Sequence, residues 1–287
     1  MQLIAILIAF ILTGLLSPGG WRSARGFNRL ADWLRQRLLP LGLWNHAGGL
    51  IAVVIPALLL VLLVQWLAGG WLFGLVGGAL GVIALLFAFG GGETLEAEVA
   101  AFTSAWRRGD EAAAQRALEA IAGSSLEPVP LEVMPELAAE HLVIRARTRW
   151  FAPVFWFVVL GPVGAFGYRL VVLARAFGDF HDNTGPGYCQ CSARLITILD
   201  WLPNRLMALA LALVGHFNAT RQAWAATVDQ DEQQRLSSAG LGALGLAPSD
   251  GPRDLTGEAV GDTHAMLRRG LYVWLAAIAA ATLLGLL

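Results

Sequence analysis

Apolar positions in this chain come in long uninterrupted runs, not in the alternation of half-buried strands. Residues 1–16, 49–67, 71–89, 150–173, 195–214 and 270–287 are dominated by Leu, Ile, Val, Ala, Phe and Gly. A hydrocarbon core about 30 Å thick is crossed by about 20 such residues in a helix. The pattern predicts an all-α polytopic integral membrane protein with about four to five transmembrane helices and interleaved cytoplasmic helical segments. Residues 1–16 are short for a perpendicular span. They lack a positively charged start and a small-x-small cleavage site, so they read as an uncleaved anchor.

The polar intervals have helical order of their own. Over residues 21–39, Trp21, Phe27, Leu30, Trp33, Leu34 and Leu38 are expected on one side, with Arg22, Arg25, Arg29, Arg35 and Arg37 on the other. A basic amphipathic helix with tryptophans suits the headgroup layer. Runs 49–67 and 71–89 are joined by Ala68-Gly-Gly70 and read as a helical hairpin; Gly74, Gly77, Gly78 and Gly81 allow close contact. Between residues 93 and 123, Leu95, Val99, Phe102 and Trp106 form a stripe destined for burial. Arg108-Gly-Asp110 should cap one helix and start the next, which ends at Gly123. A third helix follows from about Pro135. The expected organisation is one membrane domain over 1–287, with cytoplasmic helical insertions at 93–149 and 216–269. A polar loop is expected over 175–190 around Gly185-Pro-Gly187, a Pro/Gly/Asp-rich loop over 247–257, and a last helix over 270–287.

Composition narrows the class. The chain has 287 residues, 56% hydrophobic and 14% charged, with a mean hydropathy of +0.61. A soluble domain carries roughly 25% charged residues. The net charge of −1 gives no field to attract nucleic acid. All 20 basic residues are arginine, which rules out lysine chemistry such as Schiff bases. Arginines cluster in 21–39, 107–149 and 221–269, and the positive-inside rule assigns these regions to the cytoplasm, with the hairpin tip at Gly69 outside. Cys189 and Cys191 are too close for an unstrained disulfide. With only His181 and Asp182 nearby they make a poor metal site, so no metal is expected.

The block from Arg147 to His216 mixes charges into apolar sequence. An ionisable side chain at membrane depth costs about 3 kcal/mol on insertion scales, so it needs a partner and marks a candidate site. Arg194, Arg205 and His216 recur at intervals of eleven and would share a face if the helix continues through Pro203. Asp200 stands about one turn before Arg205, the arrangement of a buried pair. Arg169 and Arg175 end the preceding segment. The candidate ligand-binding set is Arg149, Arg169, Arg194, Asp200, Arg205 and His216. Glu140-His141 could serve as an acid/base pair, but a solvated helix face is the simpler reading. No catalytic triad, phosphate loop or metal signature is present, so no catalytic residue or cofactor is assigned. No internal repeat is visible, which ranks a transporter last.

Phe151-Ala-Pro-Val-Phe-Trp156, Gly161-Pro-Val-Gly-Ala-Phe-Gly-Tyr-Arg169, Leu199-Asp-Trp-Leu-Pro-Asn-Arg-Leu206 and Gly215-His216 resemble the AmpE family of bacterial inner-membrane proteins. Ala152–Trp156, Gly164–Arg169, Ser192-Ala-Arg-Leu195 and Pro203-Asn-Arg-Leu206 also resemble the cobalamin-pathway membrane synthases CobD/CbiB, which join an aminopropanol-type amine to a corrinoid carboxylate. The departures from the synthases are chemical. Val171-Val-Leu-Ala-Arg175 replaces their Asn-Thr-Leu-Asp-Ser run. Ile196 and Thr197 stand where they carry two aspartates. Of their upstream acidic pattern Glu140 survives, while Ile144, Arg145 and Thr148 occupy the other positions. Nucleotide-dependent carboxylate activation with Mg²⁺ needs acidic ligands.

The AmpE resemblance implies a multi-pass inner-membrane signalling modulator, linked to cell-wall turnover and β-lactamase induction. Its expected partners are the lipid bilayer, an anionic cell-wall fragment or nucleotide, and a cytoplasmic protein; the glycine-lined helices would also allow a homodimer. The alternative is a divergent CobD/CbiB-like enzyme forming an amide or phosphoester bond.

Overall fold

In the computed structural model the described residues are 2–15, 24–40, 42, 44, 46–68, 75–91, 94–180, 186–246 and 255–285. Trp21, Arg22, the hairpin tip at Gly69, Gly74, His181, Asp182, Gly185 and residues 247–254 lie outside this set, and so do the expectations attached to them. Among the described residues the secondary structure is helical, and three helices are long and apolar enough to cross a membrane: Ala47–Leu67, Pro186–Val214 and Gly257–Leu283. Gln2–Leu15 and Val76–Phe89 are shorter apolar helices. The all-α membrane architecture follows. The chain divides into two compact units, residues 1–92 with 152–201 and residues 93–151 with 202–287.

The first unit contains α1 (Gln2–Leu15), α2 (Arg25–Leu38), α3 (Ala47–Ala68), α4 (Leu75–Phe89), α8 (Ala152–Leu160), α9 (Pro162–Phe180) and the first part of α10 (Pro186–Val214). The expected hairpin partners α3 and α4 touch only lightly. Helix α4 packs chiefly on α1 and α9. Of the glycines expected to allow close contact, Gly81 does so against α1 and α8, where a Cβ would meet Phe157 of α8 at 3.0 Å and Ala5 of α1 at 3.6 Å, whereas Gly77 faces open space. Phe10 and Phe89 join α1 to α4 with ring centroids 4.7 Å apart, and Phe87 stacks on Phe166 at 4.8 Å to join α4 to α9. A second cluster centres on Trp44, which stacks on Tyr188 at 5.2 Å and meets Phe177 edge-on at 6.1 Å.

The segment over 150–173 is broken into two helices. Gly161 adopts φ 68 and donates its N–H to the Phe157 carbonyl at 2.8 Å, a left-handed C-cap that only glycine adopts at low cost. Pro162 then starts α9 with its φ already set for a helix. The two helices pack on each other. Gly164 makes this approach feasible, because a Cβ there would overlap the Trp156 carbonyl. At 1.5 Å per residue, the nine residues of α8 reach only about 14 Å, well short of a bilayer. Helix α9 also runs on to Phe180 and α10 begins at Pro186, so most of the expected loop over 175–190 is helical.

The second unit contains α5 (Leu95–Arg107), α6 (Glu111–Ala122), α7 (Met134–Ala146), a π turn (Arg147–Phe151), the rest of α10, α11 (Phe217–Ala226), α12 (Glu232–Ala243) and α13 (Gly257–Leu283). The stripe at Leu95, Val99 and Phe102 is buried as α5 packs on α6 and α13. The caps fall where the sequence places them. Asp110 Oδ1 accepts from Ala113 N at 3.0 Å, and Gly123 closes α6 with φ 77. The last helix starts at Gly257, not at 270, because its polar first half is an amphipathic extension burying Val260, Thr263 and Leu267. Gly257 is required there: a Cβ would meet the Trp106 ring at 2.7 Å.

Two prolines explain two local features. Pro153 has no N–H for the carbonyl of Arg149, four residues before it, and the helix widens into its π turn just there. Pro203 likewise leaves the Leu199 carbonyl without its helical donor, yet α10 continues through it. The Trp156 indole N–H donates to that carbonyl at 3.2 Å, replacing the missing bond. Trp156→Phe should therefore cost about 1–3 kcal/mol of stability in detergent, the penalty for an unsatisfied carbonyl. In a Pro203→Ala background, where the substituted alanine supplies the backbone N–H, the same change should cost much less. Equal costs in the two backgrounds, read by thermal unfolding, would show that the indole does not repair the proline gap.

Candidate anion-binding site

In the second unit a chain of polar groups starts at the π turn. Arg147 is 2% exposed and donates from Nη1 to Asn204 Oδ1 at 3.4 Å. Asn204, fully buried on α10, donates from Nδ2 to Glu232 Oε2 at 3.4 Å. Arg205 grips the same carboxylate with both arms: Nη1 reaches Oε2 and Nη2 reaches Oε1, each at 3.2 Å. This is the bidentate fork by which a guanidinium recognises a carboxylate or a phosphate.

Local sequence places Glu232. Asp231 caps α12, its Oδ1 accepting from Gln234 N at 2.7 Å. Glu232 is then the first helical residue, where the positive end of the helix dipole favours an anion. Trp224 on α11 flanks the site. The Arg235 guanidinium lies 4.3 Å and that of Arg205 5.8 Å from its ring centroid, and Arg235 Nε donates to the Trp224 carbonyl at 3.2 Å. Arg205 and Glu232 keep 31% and 22% side-chain exposure, so the pair is in contact with solvent.

A second polar cluster joins α5 to α7 and the π turn. Glu98 Oε1 accepts from Arg149 Nη1 at 3.2 Å and from Arg145 Nη2 at 3.5 Å. Its side chain is 5% exposed. Burial pushes its carboxyl above the ordinary 4.5, and the two guanidiniums reverse only part of that shift.

The six expected residues separate into two groups. Arg169, Arg194 and Asp200 lie in the first unit; Arg149, Arg205 and His216 lie in the second. Asp200 is buried and accepts from Tyr168 Oη at 2.9 Å. Arg169 lies against Gly90, where a Cβ would stand 3.0 Å from Nη2. Arg194 is exposed. Arg149 pairs with Glu98 and Arg205 with Glu232. Helix α10 ends at Val214, so His216 leaves the expected helical stripe and becomes the N-cap residue of α11. Burial holds His141 below its ordinary 6.5, which keeps it neutral near pH 7. Among the described residues no three His, Cys, Asp or Glu side chains stand together as a metal site would require.

Polar positions outside the expected ligand-binding set that these clusters bring in are Arg147, Asn204, Glu232, Glu98 and Tyr168. Glu98 carries a usable signal: it lies between Leu95 and Phe102 on the buried stripe of α5, and a carboxylate at such a position needs a cationic partner. Glu232 carries none, because its role depends on a residue 27 positions away.

Residues 28–279 match the family described as "Regulatory signalling modulator protein AmpE". The chain belongs to the AmpE family. Curated relatives of this AmpE-family chain include the cobalamin biosynthesis protein CobD of Chromobacterium violaceum, 25% identical over 97% of this chain and 96% of that protein. CobD of Stutzerimonas stutzeri is 28% identical over 85% and 80%, and CobD of Rhodobacter capsulatus is 27% identical over 84% and 82%. No solved structure matches. Similarity to both families thus extends over most of the chain.

The Glu98 cluster gives a signed pH effect. Below about pH 4.5 the carboxyl is protonated both folded and unfolded. Above it the unfolded chain ionises first, so the folded state holds the extra proton. Stability contributed by Glu98 therefore falls as pH rises from 4.5 through the raised folded value. Glu98→Gln should flatten that part of the profile of unfolding midpoint against pH. An unaltered slope would exclude Glu98 as its source.

Proposed function

We propose that this AmpE-family chain is an inner-membrane signalling modulator, linked to cell-wall turnover sensing and β-lactamase induction. It binds an anionic ligand at Arg205 without catalysing a reaction. The observation that carries the reading is the partly exposed fork of Arg205, occupied and kept in the anion-recognising geometry by Glu232. In the unliganded state Glu232 is the internal anion. A cell-wall fragment or nucleotide bearing a carboxylate or phosphate exchanges with it, with Asn204 and Arg147 behind the fork.

Exchange would free the start of α12, and the α11–α12 pair would report the event to a cytoplasmic protein. The chain is multi-pass in this reading, with the helices of 93–149 and 216–269 on the cytoplasmic side, where their arginines favour retention. The positions at which the synthases carry paired aspartates are Ile196 and Thr197, and neither side chain can ligate Mg²⁺ as a carboxylate does. This supports a binding role over the synthase chemistry.

A divergent synthase is the second reading. It draws on the CobD relatives, whose similarity extends over nearly the whole chain. The two readings separate in one experiment: thermal stabilisation of the detergent-purified protein by muropeptides, by nucleotides and by corrinoid precursors with Mg²⁺. The modulator reading expects muropeptide or Mg²⁺-independent nucleotide stabilisation that Arg205→Ala weakens at least about tenfold, as loss of a charged hydrogen-bond pair should. Glu232→Gln should bind up to about fivefold more tightly, because the internal competitor is weakened. Stabilisation by nucleotide or corrinoid precursor only with Mg²⁺ would favour the synthase. An Arg205→Ala variant that folds, binds and supports induction like wild type would exclude Arg205 from the site.

A further inference from the structure

The outward face of α2 plays no part in the function proposed above. Phe27 and Ala31 are buried, and Leu34 and Leu38 pack against the same cluster. At 100° per residue these four share one arc of the helix. The sequence pattern groups Leu30 and Trp33 with them. Instead they point away, 46% and 54% exposed, on an arc with Arg25, Arg29, Gln36 and Arg37, all exposed. Trp33 thus stands one turn after Arg29 and one turn before Arg37, whose guanidinium lies 5.3 Å from the Trp33 ring centroid. The helix carries four arginines and a single acid, Asp32, which lies 3.8 Å from Arg35 Nε at the margin of the face.

We propose that this face of α2 binds the headgroups of anionic phospholipids, with Arg29 and Arg37 on the phosphates and Leu30 and Trp33 in the upper acyl layer. A purely solvated face gains nothing from an indole and a leucine set among arginines. A protein interface of standard size buries about 800 Å² per partner, far more than two apolar side chains offer. A headgroup layer satisfies both chemistries at once: it is negatively charged where arginine heads emerge and apolar where tryptophan and leucine enter. Arg35 and Arg37 also favour the negative end of the helix dipole. Arg29, in the middle of the helix, has no such second role.

The test uses the full chain in vesicles of phosphatidylcholine and phosphatidylglycerol, extracted in detergent, with the retained lipids weighed by native mass spectrometry. Wild type should retain phosphatidylglycerol selectively. The selectivity should fall roughly fivefold for each arginine removed in Arg29→Gln/Arg37→Gln and be largely kept in Arg29→Lys/Arg37→Lys. It should also collapse when extraction is done in about 1 M salt, where the screening length is about 3 Å. Unfolding midpoints check that the variants fold, and Arg29→Gln alone gives the same comparison should the double variant not. Equal selectivity in wild type and in the glutamine variant would overturn the proposal, as would a wild type with no preference between the two lipids.

Discussion

Everything distinctive in the second unit depends on one electrostatic constraint: a guanidinium removed from water must find an anion or an acceptor. Arg147 is almost completely buried. Isolated, such a charge would cost several kcal/mol. It is accommodated by a relay through Asn204 to Glu232, whose carboxylate is shared with Arg205. The relay ties three separate pieces of chain together: the π turn, α10 and the start of α12. Glu98 does the same for α5, α7 and the π turn through Arg145 and Arg149. Both clusters converge on the short stretch where Pro153 widens the helix, and Arg147 and Arg149, two residues apart on one turn, reach different partners.

The first unit solves a different problem, that of broken helices in an apolar setting. A carbonyl released by proline has no water to turn to within a bilayer. Trp156 supplies the donor that Pro203 withholds from Leu199. The break at Gly161 is closed by its left-handed cap, and Gly164 lets the two arms approach. Trp156, Gly164 and Pro203 fall in the motifs that resemble both the AmpE and the CobD/CbiB families, and Gly161 and Leu199 in those that resemble AmpE, which gives those motifs a structural meaning apart from any chemistry.

Much of this is legible in the chain. Apolar runs of spanning length, the caps at Asp110 and Gly123, and the buried stripe of α5 depend on residues close in sequence, so periodicity finds them. Two features are not legible for a common physical reason: each is decided by a distant neighbour. Continuity through Pro203 depends on an indole 43 positions away from the carbonyl it serves. The early start of the last helix depends on Trp106 fitting over Gly257. The inward arc of α2 escapes the pattern for a different reason: Leu30 and Trp33 are apolar yet face away from the core. Arg205 and Arg149 stand out in the sequence as charges needing partners, but spacing alone does not name Glu232 and Glu98.

The Glu232–Arg205 pair holds the start of α12 in place. Hydrogen exchange of the full chain in nanodiscs, comparing wild type, Arg205→Ala and Glu232→Gln, tests it most directly. The account expects faster exchange in both variants around the first turn of α12 and the end of α11, with α5 and α6 unchanged, and little further effect when the two substitutions are combined. Unaltered protection at those amides in both variants would contradict it.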